Sequence, residues 1–501
     1  MRLFRKSRRS KKSNSSASQV AGEVTQSVRR GAHGRAVRTP WLDGQLGMKL
    51  SQSTLHMTAS TSKQMAGLAL AEAAPPTGNH GILLGVDVAT GAAVVHDPFV
   101  AYREESGFSS PNGVIFGDLG FGKSQLAKAW ITRNLAFGRR VIAVDKKRQE
   151  YTDGRLPEGE YSAVARALGY TPVTLRTGGG GVKINILDPR IAGHTSDGVA
   201  GQQMLLEAVI SAAMDRNLTE VERKAVALAR RTAVRRAQVA GEIAHVGHVV
   251  TALLDPDEET ARSTPGVCST QQLIEFGRDC GFALDRLVSE ELAGLIDGPT
   301  DPSLDLVGQF TSFDISSLPE EGRAVPILMT VINTWVRSVL VGSGTPVPTL
   351  LLIDEAWHLV DGAYANIARR NAKIARGIAL SNISIFQHPT DIPPGSPAAA
   401  MIKEAQTIIV FRQGKADDAA GVCELFGWDP NLKDVLMTLD QGVALLQIGS
   451  TPPVVCSMTM SDFELEVGDT NQAMLSTATA LVSSARAHPG EVEYGNQGSD
   501  R

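Results

Sequence analysis

The sequence predicts an α/β protein: a mostly parallel, doubly wound sheet, an all-helical insertion and disordered termini. Three observations predict it. The stretch GVIFGDLGFGKSQLAKAW (113–130) passes from an apolar run through a glycine-rich turn into a helical pattern. Apolar runs of strand length recur on both sides of it, alternating with helical segments, as in parallel strand–helix–strand units. From about Gly198 to Gly298 the pattern is helical throughout.

Taken in order, residues 1–40 are rich in Ser, Arg and Lys with almost no apolar periodicity, and read as a basic disordered tail. Residues 41–110 form a short segment whose stretch Gly81–Ala101 alternates around Ala89-Thr90-Gly91, a hairpin pattern. Residues 111–195 begin the main domain: strand NGVIFG, helix KSQLAKAWITRNLAF ending at Gly138, strand RRVIAVD, then strand YTPVTLR and the loop TGGGGVKINILDP. Residues 196–310 form the helical insertion, where Thr219 and Glu222 make the capping-box spacing at the head of a long helix. Strands resume over 311–465 with SFDIS, PTLLLIDEAW, Asn382–Gln387, TIIVFRQ and GVALLQIG. Residues 466–501, polar and Gly-rich, read as a flexible tail.

Composition narrows the class. The hydrophobic fraction is 43% and the charged fraction 20%, as expected of a soluble globular protein. Residues 1–38 hold eleven Lys or Arg and a single acid, Glu23; the other 463 residues carry 38 basic and 52 acidic side chains. So acidic a body argues against a general nucleic-acid sponge. Cys268, Cys280, Cys423 and Cys456 show no C-x-x-C spacing and read as reduced thiols. The basic start has no apolar run behind it, so it is not a secretory signal. In AVPILMTVINTWVRSVLVGSG, Asn333 and Arg337 interrupt the most membrane-like segment, which reads as a buried helix. A cytoplasmic location follows, with membrane contact confined to the periphery.

Gly117-Asp118-Leu119-Gly120-Phe121-Gly122-Lys123-Ser124 matches G-x-x-x-x-G-K-[ST], the phosphate loop, and Gln125 continues it. Glycines let the chain wrap its N–H groups around a phosphate without a Cβ in the way. The following helix turns its positive end to the same anion. Lys123 supplies a point charge for the β- and γ-phosphates, and Ser124 a hydroxyl for Mg²⁺. In TLLLIDEAWHLV, a buried strand ends on Asp354-Glu355, which puts two carboxylates at the mouth of the sheet. Asp354 suits Mg²⁺ and Glu355 suits activation of the attacking water; the plainer alternative makes Asp354 a helix cap. Gln387, at the end of SIFQ, is a candidate γ-phosphate sensor or an ordinary strand-end polar residue.

This order of parts resembles the VirB/TraC/TrbE-type ATPases of type IV secretion and conjugation, within the HerA/FtsK class of RecA-like hexameric motors. GVDVATGAAVVHDPF is similar to the hairpin that precedes the phosphate loop in that family. RRVIAVDKKRQEY resembles its strand-ending Asp-Pro-x-x-Glu-Tyr, with Asp145, Glu150 and Tyr151 in matching places and Lys146 where proline is usual. INILDP, LTEVER, LIDGPT, LLLIDEAWHLV and SIFQ resemble further family elements, so the likeness spans Gly81 to Ser461. Asp118 and Phe121 depart from the small or hydroxyl residues usual there. Residues 41–80 stand where the family carries a large N-terminal domain, so either a separate chain supplies that part or the protein is a pared-down relative.

The resemblance implies ATP and Mg²⁺ as cofactors, hydrolysis to ADP and phosphate, and a ring homo-oligomer, a hexamer by analogy. It implies type IV secretion or conjugation membrane components as partners at the inner face of the cell membrane, with DNA a further candidate. It also implies an arginine donated across the subunit boundary. Arg369, Arg370 and Arg376 in ARRNAKIARGIALSN, and Arg412 in VFRQGK, are the candidates, each with a solvated basic face as its plain alternative. The alternatives in function are a double-stranded DNA translocase of HerA/FtsK kind and a nucleotide-dependent scaffold that does not hydrolyse.

Overall fold

The computed structural model describes residues 80–103, 108–149, 156–192, 196–304, 308–319, 322–342, 347–356, 375–393 and 402–468, with a few isolated positions between them. All of these belong to one unit, Ala69–Arg501.

The strands, in chain order, are β1 (Ile82–Asp87), β2 (Ala93–His96), β3 (Gly113–Phe116), β4 (Arg140–Asp145), β5 (Arg148–Gln149), β6 (Glu158–Gly159), β7 (Val173–Thr174), β8 (Phe310–Asp314), β9 (Thr349–Ile353), β10 (Leu380–Ile385), β11 (Thr407–Phe411), β12 (Val443–Ile448) and β13 (Val454–Met458). Eleven of them form one sheet in the order β2-β1-β13-β12-β11-β3-β10-β9-β4-β8-β7, and β5 pairs with β6 separately. From β11 to β7 every pairing is parallel. From β11 outward through β12, β13, β1 and β2 every pairing is antiparallel.

Sequence pattern explains the division. β3, β4, β8, β9 and β11 are buried at every position, which suits strands covered by helices on both faces. β1 alternates buried and exposed residues, which suits a strand covered on one face. A register shift between Leu83 and Gly85 marks a bulge in β1, a device that bends and twists a strand. The antiparallel end accordingly curls back: His96 at the end of β2 reaches Thr407 at the start of β11, with Nε2 and Oγ1 2.7 Å apart.

The helices are α1 (Pro98–Arg103), α2 (Lys123–Ala136), α3 (Glu160–Ala167), α4 (Pro189–Ala192), α5 (Ser196–Met214), α6 (Glu220–Ala240), α7 (Val246–Leu254), α8 (Glu258–Ser263), α9 (Thr270–Arg286), α10 (Ala324–Gly342), α11 (Ala416–Phe426), α12 (Leu432–Thr438) and α13 (Asp462–Gly468). On one sheet face Leu126, Trp130 and Ile131 of α2 and Tyr161 and Val164 of α3 meet Ile115, Val141, Leu352 and Ile385. On the other, Val114, Phe116, Ile142 and Leu351 meet α10 and helices α5, α6, α7 and α9, in one continuous cluster. The helical insertion thus shares the sheet's own core. Thr219 caps α6 with both hydrogen bonds of the capping box. In α10, Trp335 and Val336 are buried, and among the described residues no helix is long and apolar enough to cross a membrane.

Some boundaries move. Of YTPVTLR, Val173–Thr174 pairs as strand. Expected loose from 466, the C-terminal segment instead begins inside α13, which runs to Gly468; residues 1–40 and 469–501 lie outside the described residues.

Candidate nucleotide site

The parallel half aligns its carboxyl ends along one edge. Ile115 of β3 pairs with Ile385 of β10, and Ile353 of β9 with Ser384 and with Val144 of β4. The loop after β3, the Asp354-Glu355 pair after β9, Gln387 after β10 and Asp145 at the tip of β4 therefore share one level. This is the edge at which open α/β sheets bind ligands.

Gly117, Gly120 and Gly122 take φ of 154°, 82° and 113°, backbone that an L side chain rarely adopts. At Gly117 a Cβ would also stand 2.6 Å from Phe411 Cβ, so the loop lies directly on β11. Lys123 opens α2, and its Nζ donates to the carbonyls of Gly117 and Asp118, the latter at 2.8 Å. Gly122 offers α2 no side-chain cap, so the first-turn N–H groups face the loop. Behind the loop, Gln441 Nε2 donates to Gly120 O at 2.9 Å and Gly442 N–H to Phe121 O at 3.1 Å.

A cavity of ≈ 280 Å³ opens there, lined by Leu119, Gly120, Gly122, Lys123, Ser124, Gln125, Lys147, Asp354, Glu355, Gln441 and Gly468. Burial pushes the Lys123 ammonium below the usual lysine range, against the attraction of Asp354 and Glu355. Burial, reinforced by Glu355 and Glu160, raises the Asp354 carboxyl to about 6. Asp354 accepts from Tyr161 Oη at 2.9 Å and from the Glu355 N–H at 2.9 Å. Glu355 sits at φ 52°, a strained backbone for a residue with a side chain and of a kind that gathers at functional positions. Gln387 Nε2 lies 3.0 Å from each Glu355 carboxylate oxygen, so the two meet directly.

A triphosphate with Mg²⁺ fits these residues. The cradle of N–H groups and Lys123 match an anion, while one hydroxyl and one buried carboxylate match an ion that draws its other ligands from phosphate and water. Among the described residues no group of three or more His, Cys, Asp or Glu forms a self-sufficient metal site.

The other expected residues are placed as follows. Asp118 turns from the cavity: its Oδ2 accepts from Gly414 N–H at 2.6 Å, and its Oδ1 lies 3.7 Å from His388 Nδ1. His388, beside Gln387 in sequence, also stands 3.2 Å from Asp418 of α11. Phe121 lies under Arg412 of the same chain, guanidinium carbon to ring centroid 5.2 Å. Gln125 lines the cavity and donates to Glu464 O of α13 at 2.7 Å. Arg369 and Arg370 lie outside the described residues, as do Glu150 and Tyr151; of Arg376 the backbone alone is described, in the single turn Ala375–Ile378.

Sequence reasoning missed a polar group under the site. Glu160 and Tyr161 belong to it. Glu160 is buried, 3.1 Å from Lys147 Nζ and 3.6 Å from Lys128 Nζ. These two lysines, with help from the Ser124 hydroxyl, outweigh burial and hold its carboxyl below the usual range. Asp145 accepts from the N–H groups of Lys147 and Tyr161, at 2.9 and 2.8 Å. Burial, with Glu160 and Asp354 nearby, drives its carboxyl well above the usual range. The chain contains Glu-Tyr three times, at 150–151, 160–161 and 493–494; the second opens α3, where an acid in the first turn suits the helix dipole.

No protein-family model matches the sequence, and none of the curated proteins does. Solved structures do. VirB4 of Thermoanaerobacter pseudethanolicus is similar with a TM-score of 0.62 and 22% identity, over 79% of this chain and 100% of that one. The plasmid coupling protein TrwB in complex with ADP and Mg²⁺ is similar at 0.51 and 12%, over 77% of this chain and 91% of that one. The chain therefore shares the fold of these structures, an α/β fold with a mostly parallel sheet, as the phosphate loop and the strand–helix–strand pattern led one to expect.

Proposed function

We propose that the chain is an ATP-hydrolysing motor that energises a conjugative type IV secretion system, in apparatus assembly or in transfer of DNA or protein. The observation that carries the enzymatic part is the contact between Gln387 and Glu355 at the strand tips beside Lys123, Ser124 and Asp354. The secretion part is supported by the likeness to VirB4, which extends over that whole chain.

Mg²⁺ would supply charge neutralisation on the terminal phosphates. Lys123 and the loop N–H groups bind and orient the triphosphate; Ser124 and Asp354 would hold the metal. Glu355 takes a proton from the attacking water, and Gln387 fixes the Glu355 carboxylate. An arginine from a neighbouring subunit, Arg369, Arg370, Arg376 or Arg412, completes the site at a ring boundary, and the ring works at the inner face of the membrane. Arg412 is the weakest of the four, since it covers Phe121 of its own chain.

Steady-state ATP turnover of the purified chain, alone and with single- or double-stranded DNA, tests the reading. Turnover indifferent to DNA is expected. Strong stimulation by duplex would favour a translocase, and tight nucleotide binding without turnover a scaffold. Mixing Arg370→Ala with Lys123→Ala chains should restore part of the activity that each lacks; the same mix with the other arginines identifies the donor, and no recovery for any of them removes the trans arginine.

A further inference from the structure

Lys147 is the second lysine of the cavity and has no part in the reading above. It follows β4, and its backbone N–H is tied to Asp145 at 2.9 Å. Its Nζ stands 3.1 Å from Glu160 Oε1. Lys128, the other lysine on Glu160, is 3% exposed and donates to Gly468 O at 3.2 Å, whereas the Lys147 side chain is 37% exposed and opens into the cavity. Glu160 thus has one lysine sealed beneath it and one presented above it.

Location says what Lys147 is presented to. It shares the cavity with Asp354 and Glu355 and is attracted by both. Burial works against its charge, but Glu160, Asp354 and Glu355 outweigh burial and keep the ammonium above the usual lysine range. Lys123 and Lys147 repel each other. Two ammonium groups converging on one partly desolvated cavity are relieved by a polyanion. The Glu355 side of the cavity is where the terminal phosphate must lie if Glu355 activates the water that attacks it.

We infer that Lys147 is a second phosphate-binding cation, held in place by Glu160, that contacts the terminal phosphate and so selects nucleoside triphosphate over diphosphate. The inference rests on the nucleotide-hydrolysis reading. A lysine that served only to neutralise Glu160 would have no reason to distinguish the two ligands.

Calorimetric titration of the full-length chain with ADP and with a non-hydrolysable ATP analogue, both with Mg²⁺, tests it. Lys147→Gln should weaken the triphosphate about tenfold and the diphosphate less than about twofold, the loss of one charge-assisted hydrogen bond. Lys147→Arg should restore most of the difference. Glu160→Gln, which frees the lysine without discharging it, should fall between the two. A second measurement uses the unaltered chain: labelling of Lys147 by an amine-reactive reagent should be suppressed by the triphosphate analogue and little by ADP. Equal protection by both ligands, or equal loss of both in Lys147→Gln, overturns the role of Lys147 while leaving nucleotide binding intact. Failure of the unaltered chain to bind either nucleotide overturns the underlying reading instead.

Discussion

The two halves of the sheet are built from the same residue types and put to opposite uses. In the parallel half, β3, β9, β10 and β4 are sealed by helices, and their tips deliver Lys123, Asp354, Glu355, Gln387 and Asp145 to one edge. Charge there is buried and mutually strained: Asp354 is raised to about 6 and Lys123 is lowered. In the antiparallel half, β12, β13, β1 and β2 bring no charged cluster to that edge. Their polar contacts close the curl, as His96 does on Thr407, or clip it to α2, as Arg133 does through Glu464 Oε1 at 2.7 Å and Thr459 O at 2.5 Å. One half spends stability on chemistry; the other holds the first in shape. Damage to the first should remove activity and leave folding intact, and damage to the second should do the reverse.

The largest expected effect is Glu355→Gln. The residue touches Gln387 and lines the cavity, and its strained φ of 52° serves no packing purpose that glutamine would lose. Turnover should fall by at least about a hundredfold, as expected when a general base or its electrostatic role is lost, with nucleotide binding and melting temperature nearly unchanged. A comparable fall in melting temperature would mean that the parallel half depends on this carboxylate for its fold, and the contrast would fail. Lys123→Ala should instead abolish binding itself, since both the point charge and the centre of the loop go.

Gly85 gives the converse experiment. A Cβ there would stand 2.0 Å from Ser457 O and 2.8 Å from its carbonyl carbon, both backbone atoms of β13 that cannot turn aside. Gly85→Val should cost about 3 kcal/mol and lower the thermal midpoint, while the variant below its midpoint keeps turnover per folded molecule within about twofold, since no residue of β1 lines the cavity. Turnover lost in proportion to stability would show that the curl transmits to the site.

How far each half could be read from the sequence follows from the same physics. Strands sealed on both faces are continuous apolar runs, so TLLLI and TIIVF announce themselves, and the residue after each run is the one at the functional edge. β13 is covered on one face: in VVCSM only Cys456 is buried, and the strand follows Pro452-Pro453, which reads as loop. The two-residue strands β5 and β6 leave no periodicity at all. Within the site, Lys123, Asp354 and Glu355 belong to contiguous words and were legible. Glu160 and Lys147 were not, because their meaning lies in a contact between positions 13 apart in the chain. His388 meets Asp118 and Asp418 only after three strand tips have been brought together.

The smallest effect is also the one that tests the antiparallel half without touching its packing. His96 is buried, and burial lowers its imidazole to about 3. Below pH 6.5 the unfolded chain takes up a proton at this position that the folded chain refuses, so stability is lost as pH falls from 6.5 toward 3 and is unaffected above that window. At pH 5 the loss is about 2 kcal/mol, from 1.36 kcal/mol per unit of pH. Asp354 works in the opposite sense, because a carboxyl raised to about 6 favours the folded state at the acid end. The raw pH profile therefore mixes the two halves, and the difference between the unaltered chain and His96→Asn separates them. Chemical denaturation at pH 7, 6 and 5 should show that difference shrinking as pH falls, with asparagine keeping a hydrogen bond to Thr407 but nothing to titrate. A difference constant across the three would mean that the histidine takes up its proton inside the fold as readily as in the unfolded chain, which would place a buried charge beside Thr407.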